Sequence, residues 1–380
     1  MLRLISTIVA AIAVNAFTLG SEPVDDKRNA ANEASPTAEA MPKVTAQPQK
    51  ILIERDPAGQ YLNFDFVVEN LKNQPVQIRS IEASVYDTKN KLSFRRAVDS
   101  GGFSPAIETI PNREIAAKET ALVFNPLYRF EPYLELVRIR FEFTFTTKND
   151  KKESKVEVVV TPTYYETKTK LTLPVKRRVQ VESGHDFYAH HRRLNYFHPL
   201  ARQVGFKANF MRYGYDFFVV DAEGNQKTGS GDRYEDYLGF GVPLYAPAAG
   251  RVVALANDFP EDLFGRNLTV KSLTSEPLLF YGNYLLIDHL NGEYSLLVHL
   301  KQGSVKPKVG DMVKQGQQIA QIGCSGSAER PHLHYELQSG GGFDVEGLPS
   351  YFDNFRRILG SRAMDVKRGR VDSGDIVESK

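Results

Sequence analysis

The sequence predicts an all-β protein, with an N-terminal immunoglobulin-like β-sandwich followed by an antiparallel β domain. Residues 51–163 contain short segments in which apolar and polar residues alternate, which is typical of strands with one buried face. Helical periodicity is nearly absent from the same region. Further along, the pair Asn291-Gly292, a strong two-residue turn signal, separates two more apolar segments.

Composition limits the classes of function that the chain can have. Its 380 residues are enough for two domains, and 42% hydrophobic with 25% charged residues is the balance of a globular protein. The net charge of +2 provides no large field of one sign, so we expect no nucleic-acid partner.

Residues 1–20 are predicted to be a secretory signal peptide. Arg3 supplies a positive start, and residues 4–19 are almost entirely apolar or small. This run is short for a membrane span, so we expect no stable span after signal removal; a retained anchor is the alternative. Cys324 is the only cysteine, and an exported chain without disulfides indicates a periplasmic or other cell-envelope location in a bacterium.

The remaining chain divides into five predicted parts. Residues 21–50, rich in Ala, Glu, Pro and Lys, are expected to be a disordered spacer. Residues 51–163 form the predicted sandwich, which shows no cluster of His, Asp, Glu or Cys and is expected to be a structural or docking module. Residues 164–183 are a predicted basic linker, 184–360 the second domain and 361–380 a disordered tail.

Two segments in the second domain have more specific predictions. Residues 283–289 and 294–300 are expected to form a hairpin closed by the Asn291-Gly292 turn. Residues 351–359 are expected to form one short terminal helix.

The segment 330–337 is the most informative part of the sequence. It alternates polar and apolar residues and therefore predicts a strand, on which His332 and His334 lie on the same face. Only 8 histidines occur in the chain, so two within three residues favour metal binding or acid–base chemistry. Surface histidines that alternate by chance are the other interpretation.

The order of turns and strands that leads to this segment is also distinctive. Gly-containing turns and short strand segments occur at residues 241–253 and 309–323, and Ser325-Gly326 precedes the histidine pair. This order resembles the lysostaphin-type zinc metallopeptidases, which cut peptide cross-links of bacterial peptidoglycan on a "duplicated hybrid motif" β-fold. The resemblance covers roughly residues 210–340.

The resemblance implies a set of site residues. Asp216 and His334 match two metal ligands, and His299 and His332 match the histidines that steady the water and the transition state. At two positions the chain departs from the family: Arg212 stands where a third ligand, His, is expected, and Leu297 stands where the family often has Tyr.

The Arg212 departure makes the metal site partly degenerate. Catalytic zinc normally keeps three protein ligands and a water, and a guanidinium has no lone pair to donate. One interpretation is that Arg212 points away while His190, His191 or His198 supplies the third ligand. The other is that no metal binds and Arg212 forms a fixed polar contact with Asp216.

The resemblance therefore implies an exported zinc metalloendopeptidase that acts on peptidoglycan peptide cross-links, with Zn²⁺ as cofactor. The alternative is a catalytically silent member of the same fold that binds cell-wall peptides or regulates a partner wall hydrolase. A purely structural envelope protein is a third reading, because a β-sandwich hosts many unrelated functions.

Overall fold

The computed structural model describes residues 40–99, 113–147 and 153–380. These residues form two compact units, of which the first ends at Tyr164 and the second begins at Tyr165. Both units consist almost entirely of strands and turns, which confirms the predicted all-β class.

The predicted signal peptide and most of the predicted spacer lie outside the described residues. The described end of the spacer contains a strand, Lys43–Gln47. The prediction of disorder is therefore wrong for this end. Across the described part of the chain, every helix is too short or too polar to cross a membrane.

The first unit is a set of sheets around an aromatic core, antiparallel except where β12 pairs with β2 in parallel. Its strands are β1 (Lys43–Gln47), β2 (Leu52–Asp56), β3 (Gly59–Leu62), β4 (Asp65–Glu69), β5 (Val76–Tyr86), β6 (Leu92–Asp99), β7 (Glu114–Ile115), β8 (Thr120–Phe124), β9 (Arg129–Phe130), β10 (Arg138–Thr146), β11 (Ser154–Val160) and β12 (Thr163–Tyr164). The sheet orders are β1-β4-β8, β11-β10-β5-β6 with β7 on β5, and β12-β2-β3-β9. Alternate residues of β4 and β10 enter the core, where Phe66 contacts Phe141 and Phe143 edge-on, with ring centroids 5.0 and 4.8 Å apart. The immunoglobulin-like arrangement stays a prediction.

The second unit is dominated by one large sheet. Its strands are β13 (Val179–Ser183), β14 (Tyr215–Val219), β15 (Pro243–Tyr245), β16 (Gly250–Ala256), β17 (Asn283–Asp288), β18 (Tyr294–Leu300), β19 (Met312–Val313), β20 (Gln318–Gln321), β21 (Leu333–Gln338), β22 (Gly347–Leu348), β23 (Phe352–Leu359), β24 (Arg362–Gly369) and β25 (Ile376–Ser379). Its α-helices are α1 (Pro199–Val204) and α2 (Val270–Ser275), and short 3-10 turns occupy Tyr234–Asp236, Leu263–Gly265 and Pro277–Phe280.

The large sheet has the order β19-β16-β17-β18-β21-β14-β13-β25-β23-β24, with β22 beside β21, and β15 pairs with β20 separately. The predicted hairpin is confirmed: β17 and β18 are antiparallel, and Asp288 faces Tyr294 next to the turn. Gly292 has a φ of 86°, which glycine adopts without steric cost. The hairpin places β18 directly against β21 at the centre of the sheet.

The predicted linker at residues 164–183 is wrong. The apolar residues Leu171, Leu173 and Val175 occupy every second position and are buried in the core of the second unit. Strand β13 follows within the same range and pairs with β14. The basic residues of this segment lie between buried apolar positions, so the high charge concealed a strand-like pattern.

The predicted terminal helix and disordered tail are also wrong. Residues 351–359 contain strand β23, which pairs with β24 and β25 from the supposed tail, residues 361–380. Val371 and Val377 are buried, and they anchor a tail whose other residues are mostly polar. Here pairing between strands overrides local propensity, which is weak evidence for so short a segment.

Candidate metal centre

The central strands of the large sheet bring together residues that are far apart in the sequence. Asp216 on β14 lies directly opposite His334 on β21, and Val298 on β18 lies opposite His334 from the other side. His299 follows Val298 at the end of β18. Side chains alternate along a strand, so Tyr335, next to His334, and Leu297, next to Val298, enter the apolar core on the other face of the sheet.

Asp216 is the centre of a group of histidines. Its carboxylate is almost fully buried and lies 2.9 Å from Nδ1 of His334. Nε2 of His332 and Nε2 of His191 are each 3.4 Å from its oxygens, and Nε2 of His190 is 3.7 Å away. The structure therefore brings four imidazoles to one buried carboxylate.

His191 is held in this group by the chain next to Asp216. Its Nδ1 donates a hydrogen bond to the carbonyl oxygen of Gly214, 3.3 Å away, because a carbonyl can only accept. This leaves the Nε2 lone pair directed toward Asp216. Gly214 also makes room, because a Cβ atom there would lie 3.1 Å from His334 Cε1 and 3.3 Å from His191 Nδ1.

Arg212 has Glu346 as a buried ion-pair partner. Its guanidinium is buried, and Nε donates to Oε2 of Glu346 at 3.0 Å. A buried guanidinium that makes this charge-assisted hydrogen bond has its charge balanced by Glu346. The side chain is thus committed to Glu346, and His191 lies where a third ligand is expected.

His299 and His332 have one nitrogen fixed and the other facing the group. Nδ1 of His299 donates to the carbonyl oxygen of Ser325 at 2.9 Å, and Nδ1 of His332 donates to that of Arg330 at 2.7 Å. Their rings lie close together, with centroids 4.9 Å apart. His332 also stacks on Phe218, with centroids 4.7 Å apart and the planes 15° from parallel.

His299 has a left-handed backbone, with a φ of 62°. For a residue with a side chain this conformation costs of order 1 kcal/mol and persists only where the surroundings hold it. The N–H of His299 donates to Tyr281, and its carbonyl accepts from the N–H of Gly323. The backbone is held on both sides, and this directs the ring toward His332.

The electrostatics of the group favour an ionised carboxylate. Burial raises the pKa of Asp216, but electrostatic interactions with His191 and His332 and hydrogen bonds with His332 and His334 outweigh it, so this pKa lies well below its usual range. Burial lowers the pKa of His334, whereas hydrogen bonds to Asp216 and Glu336 raise it to about 9. In the metal-free chain, His334 therefore holds a proton between two carboxylates at neutral pH.

Three other histidines near Asp216, namely His190, His191 and His299, have lowered pKa values that favour the neutral form. Burial lowers the pKa of His191 and of His299 well below the usual value, and neighbouring histidines lower both further. Burial also lowers the pKa of His190, although its side chain is 43% exposed whereas that of His191 is 5% exposed. Neutral imidazoles are the form that binds metals.

The donor set fits a divalent metal ion. His190, His191 and Asp216 offer ligand atoms that all lie within 4.8 Å of one another, and Nδ1 of His334 is closer still to Asp216. Ligand atoms around tetrahedral zinc, with bonds of about 2.1 Å, lie about 3.4 Å apart, and the His191–Asp216 distance is 3.4 Å. His191 and His334 each have the second ring nitrogen committed to an acceptor, as is usual for metal-bound histidine.

Three other histidines considered from sequence have local roles elsewhere. His185 accepts from or donates to the hydroxyl of Tyr215 at 2.8 Å, on the core side of β14. His198 caps the N-terminus of α1 by accepting from Leu200 N. His289 bridges Ala249 O and Ser295 Oγ, consistent with the structural role expected for it.

Sequence reasoning missed Gly214 and Glu336. Glu336 is 1% exposed, and its Oε1 lies 2.5 Å from Nε2 of His334. A usable signal was present, because Glu336 is two residues after His334 on the same strand and therefore lies on the same face. Gly214 carried no such signal, since its role depends on two side chains that approach it from other segments.

Comparison with known proteins identifies the sequence pattern that surrounds this group. Residues 237–344 match the family model of peptidase family M23. The second unit therefore contains a segment that is similar to peptidase family M23. The matched range contains His299, His332 and His334, whereas Asp216 and His191 precede it. The resemblance to lysostaphin-type metallopeptidases, predicted from the order of turns and strands, is thus confirmed.

Several known proteins resemble parts of the chain. Peptidoglycan DD-endopeptidase ShyC of Vibrio cholerae serotype O1 is 45% identical over 58 residues, which is 15% of this chain and 13% of that protein. Cell division protein DipM of Caulobacter vibrioides is 26% identical over 98 residues, 26% of this chain and 13% of that protein. The catalytic domain of the antimicrobial peptidase lysostaphin from Staphylococcus simulans is 19% identical, with 50% of this chain and 88% of that chain covered and a TM-score of 0.23.

The chain thus matches only 13% of the length of each of these two curated relatives. The activities and roles in their names belong to much longer proteins.

Proposed function

We propose that this chain is an exported zinc metalloendopeptidase that cuts peptide cross-links of bacterial peptidoglycan, with His191, Asp216 and His334 as metal ligands. The observation that carries the proposal is the position of His191, which lies 3.4 Å from Asp216 while Arg212 is paired with Glu346. The M23 match, and the name of the relative ShyC as a peptidoglycan DD-endopeptidase, support the reaction and the substrate class.

In this proposal, the metal ligands and the two histidines His299 and His332 have different roles. Zinc, when bound, polarises the scissile carbonyl and makes a bound water acidic enough to attack near neutral pH. His299 and His332, each fixed through Nδ1 by a backbone carbonyl, present Nε2 to the group, where they accept and donate protons. The same nitrogens, when protonated, donate to an oxyanion.

Burial supports this division of roles. Asp216, His191 and His334 are at most 5% exposed, so a metal there would be largely shielded from bulk water. His190 is much more exposed than His191 and lies slightly farther from Asp216. We therefore assign His191 as the third ligand and leave His190 at the mouth of the site.

The test uses the purified full chain, its zinc content after mild dialysis, and the peptides released from purified peptidoglycan. We expect about one zinc per chain, and hydrolysis that is lost on chelation and restored by zinc. His299→Ala and His332→Ala should retain zinc but hydrolyse about 100-fold more slowly or worse. A zinc-loaded wild type that releases no peptides would instead indicate a silent wall-binding protein, and a wild type without zinc affinity would contradict the proposed metal centre.

A further inference from the structure

Glu336 is a buried carboxylate for which the proposed reaction has no direct use. It is 1% exposed and occupies the next same-face position after His334 on β21. Removing a carboxylate from water is strongly unfavourable unless hydrogen bonds or opposite charges compensate. A carboxylate buried next to the histidine group must therefore have partners that compensate for its lost hydration.

The contacts of Glu336 supply that interaction. Its Oε1 accepts a hydrogen bond from Nε2 of His334 at 2.5 Å, and its other oxygen accepts from the side-chain amide of Gln338, which is also fully buried. Gln338, Glu336 and His334 thus form a chain of hydrogen bonds along one face of β21 that ends at Asp216.

The other imidazoles of the group are held differently. His191, His299 and His332 each donate Nδ1–H to a neutral backbone carbonyl. His334 is held instead through the opposite nitrogen, because its Nε2 donates to the carboxylate of Glu336. A carboxylate acceptor makes an imidazole a stronger electron donor than a carbonyl acceptor does.

We propose that Glu336 is a positioning residue that commits Nε2–H of His334 and so presents the Nδ1 lone pair to a divalent metal beside Asp216. This inference rests on the proposed function, because it requires a metal at that place. Together, the carboxylates of Asp216 and Glu336 also supply two negative charges, which balance a buried divalent cation.

The test compares zinc affinities of full-length variants by competition with a chromophoric chelator. Glu336→Gln keeps the shape but removes the charge, and we expect zinc affinity to fall about 10- to 100-fold. Glu293→Gln is the matched control, because Glu293 is a buried carboxylate of the same unit that instead holds Tyr165 and Thr169. The control should bind zinc as the wild type does.

A spectroscopic measurement on the zinc-loaded wild type keeps the inference testable if Glu336→Gln does not fold. With ¹⁵N-labelled histidine, Nε2–H of His334 should give a downfield proton signal that exchanges slowly with water. Absence of that signal, or equal zinc affinity in the wild type and Glu336→Gln, would overturn the role of Glu336 while leaving the proposed function intact. A wild type that binds no zinc would overturn both.

Discussion

Two segments of the second unit could each supply the third proposed metal ligand. In the segment 212–216, the family resemblance places a histidine at residue 212, but Arg212 stands there and pairs with Glu346. The preceding segment, at residues 190–191, instead delivers His191 to Asp216. The two segments touch at Gly214, whose carbonyl accepts from His191.

The difference between these segments shows that a metal site is defined by where donor atoms meet. Asp216 and His334 are fixed by strand register, and register leaves no freedom to move a ligand along the sheet. A ligand on a neighbouring loop can be exchanged for another, because only its nitrogen must reach the metal. Loss of a histidine at residue 212 is therefore compatible with a complete donor set.

The largest expected effect separates the two adjacent histidines. His191→Ala removes a buried ligand, and we expect zinc affinity to fall by at least about 100-fold, more than loss of a residue behind a ligand usually costs. His190→Ala, which removes a more exposed ring, should cost much less. Chelator competition measures both, and the reverse ranking would show that His190 is the ligand.

The next largest expected effect is the pH dependence of zinc affinity, because zinc and a proton compete for His334. The pKa of His334 is raised from 6.5 to about 9, so its proton stabilises the metal-free fold below about pH 6.5, and this stabilisation is lost as the pH rises through about 9. Zinc must displace that proton, so zinc affinity should rise about tenfold per pH unit from pH 7 to about 9. Titrations at several pH values check this slope, and a flat profile would contradict the protonated state.

A double variant tests whether the two segments can exchange roles. Arg212→His in the His191→Ala background offers a nitrogen at the position that the family resemblance assigns to the ligand. We expect it to recover about tenfold in zinc affinity, or about 1.4 kcal/mol, because the new nitrogen replaces part of what the lost ligand contributed. Arg212→His alone should bind zinc no more tightly than the wild type, because His191 already supplies the third proposed ligand beside Asp216. Tighter zinc binding by Arg212→His alone would indicate that residue 212, and not residue 191, is the better position for the third ligand.

The smallest expected effect lies where the segments meet. Gly214→Ala adds a Cβ atom 3.1 Å from His334 Cε1 and 3.3 Å from His191 Nδ1, so both rings must shift by a few tenths of an ångström. We expect a loss of several-fold in zinc affinity with little change in the unfolding midpoint, because ligand geometry is more sensitive than packing. An unchanged affinity would mean that His191 is not held by this contact.

Much of the fold was accessible from the sequence because strands with one buried face leave a period of two. The segments that became β5 and β10 were predicted in this way, whereas those that became β17 and β18 were predicted from the Asn291-Gly292 turn between them. The errors at residues 164–183 and 361–380 have different causes. Charged residues obscured a strand-like pattern in the first range, whereas the second has few buried apolar residues and is held by strand pairing. The supposed helix at residues 351–359 needed β24 and β25 as partners to become a strand.

The sequence by itself determined the β class, the histidine pair on β21 and the resemblance that named Asp216, His299 and His334, because these depend on local spacing. It left open whether Arg212 or a histidine from residues 190–191 reaches Asp216. Only the tertiary structure decided this, because a side chain's direction depends on partners distant in sequence: Glu346 for Arg212 and Gly214 for His191.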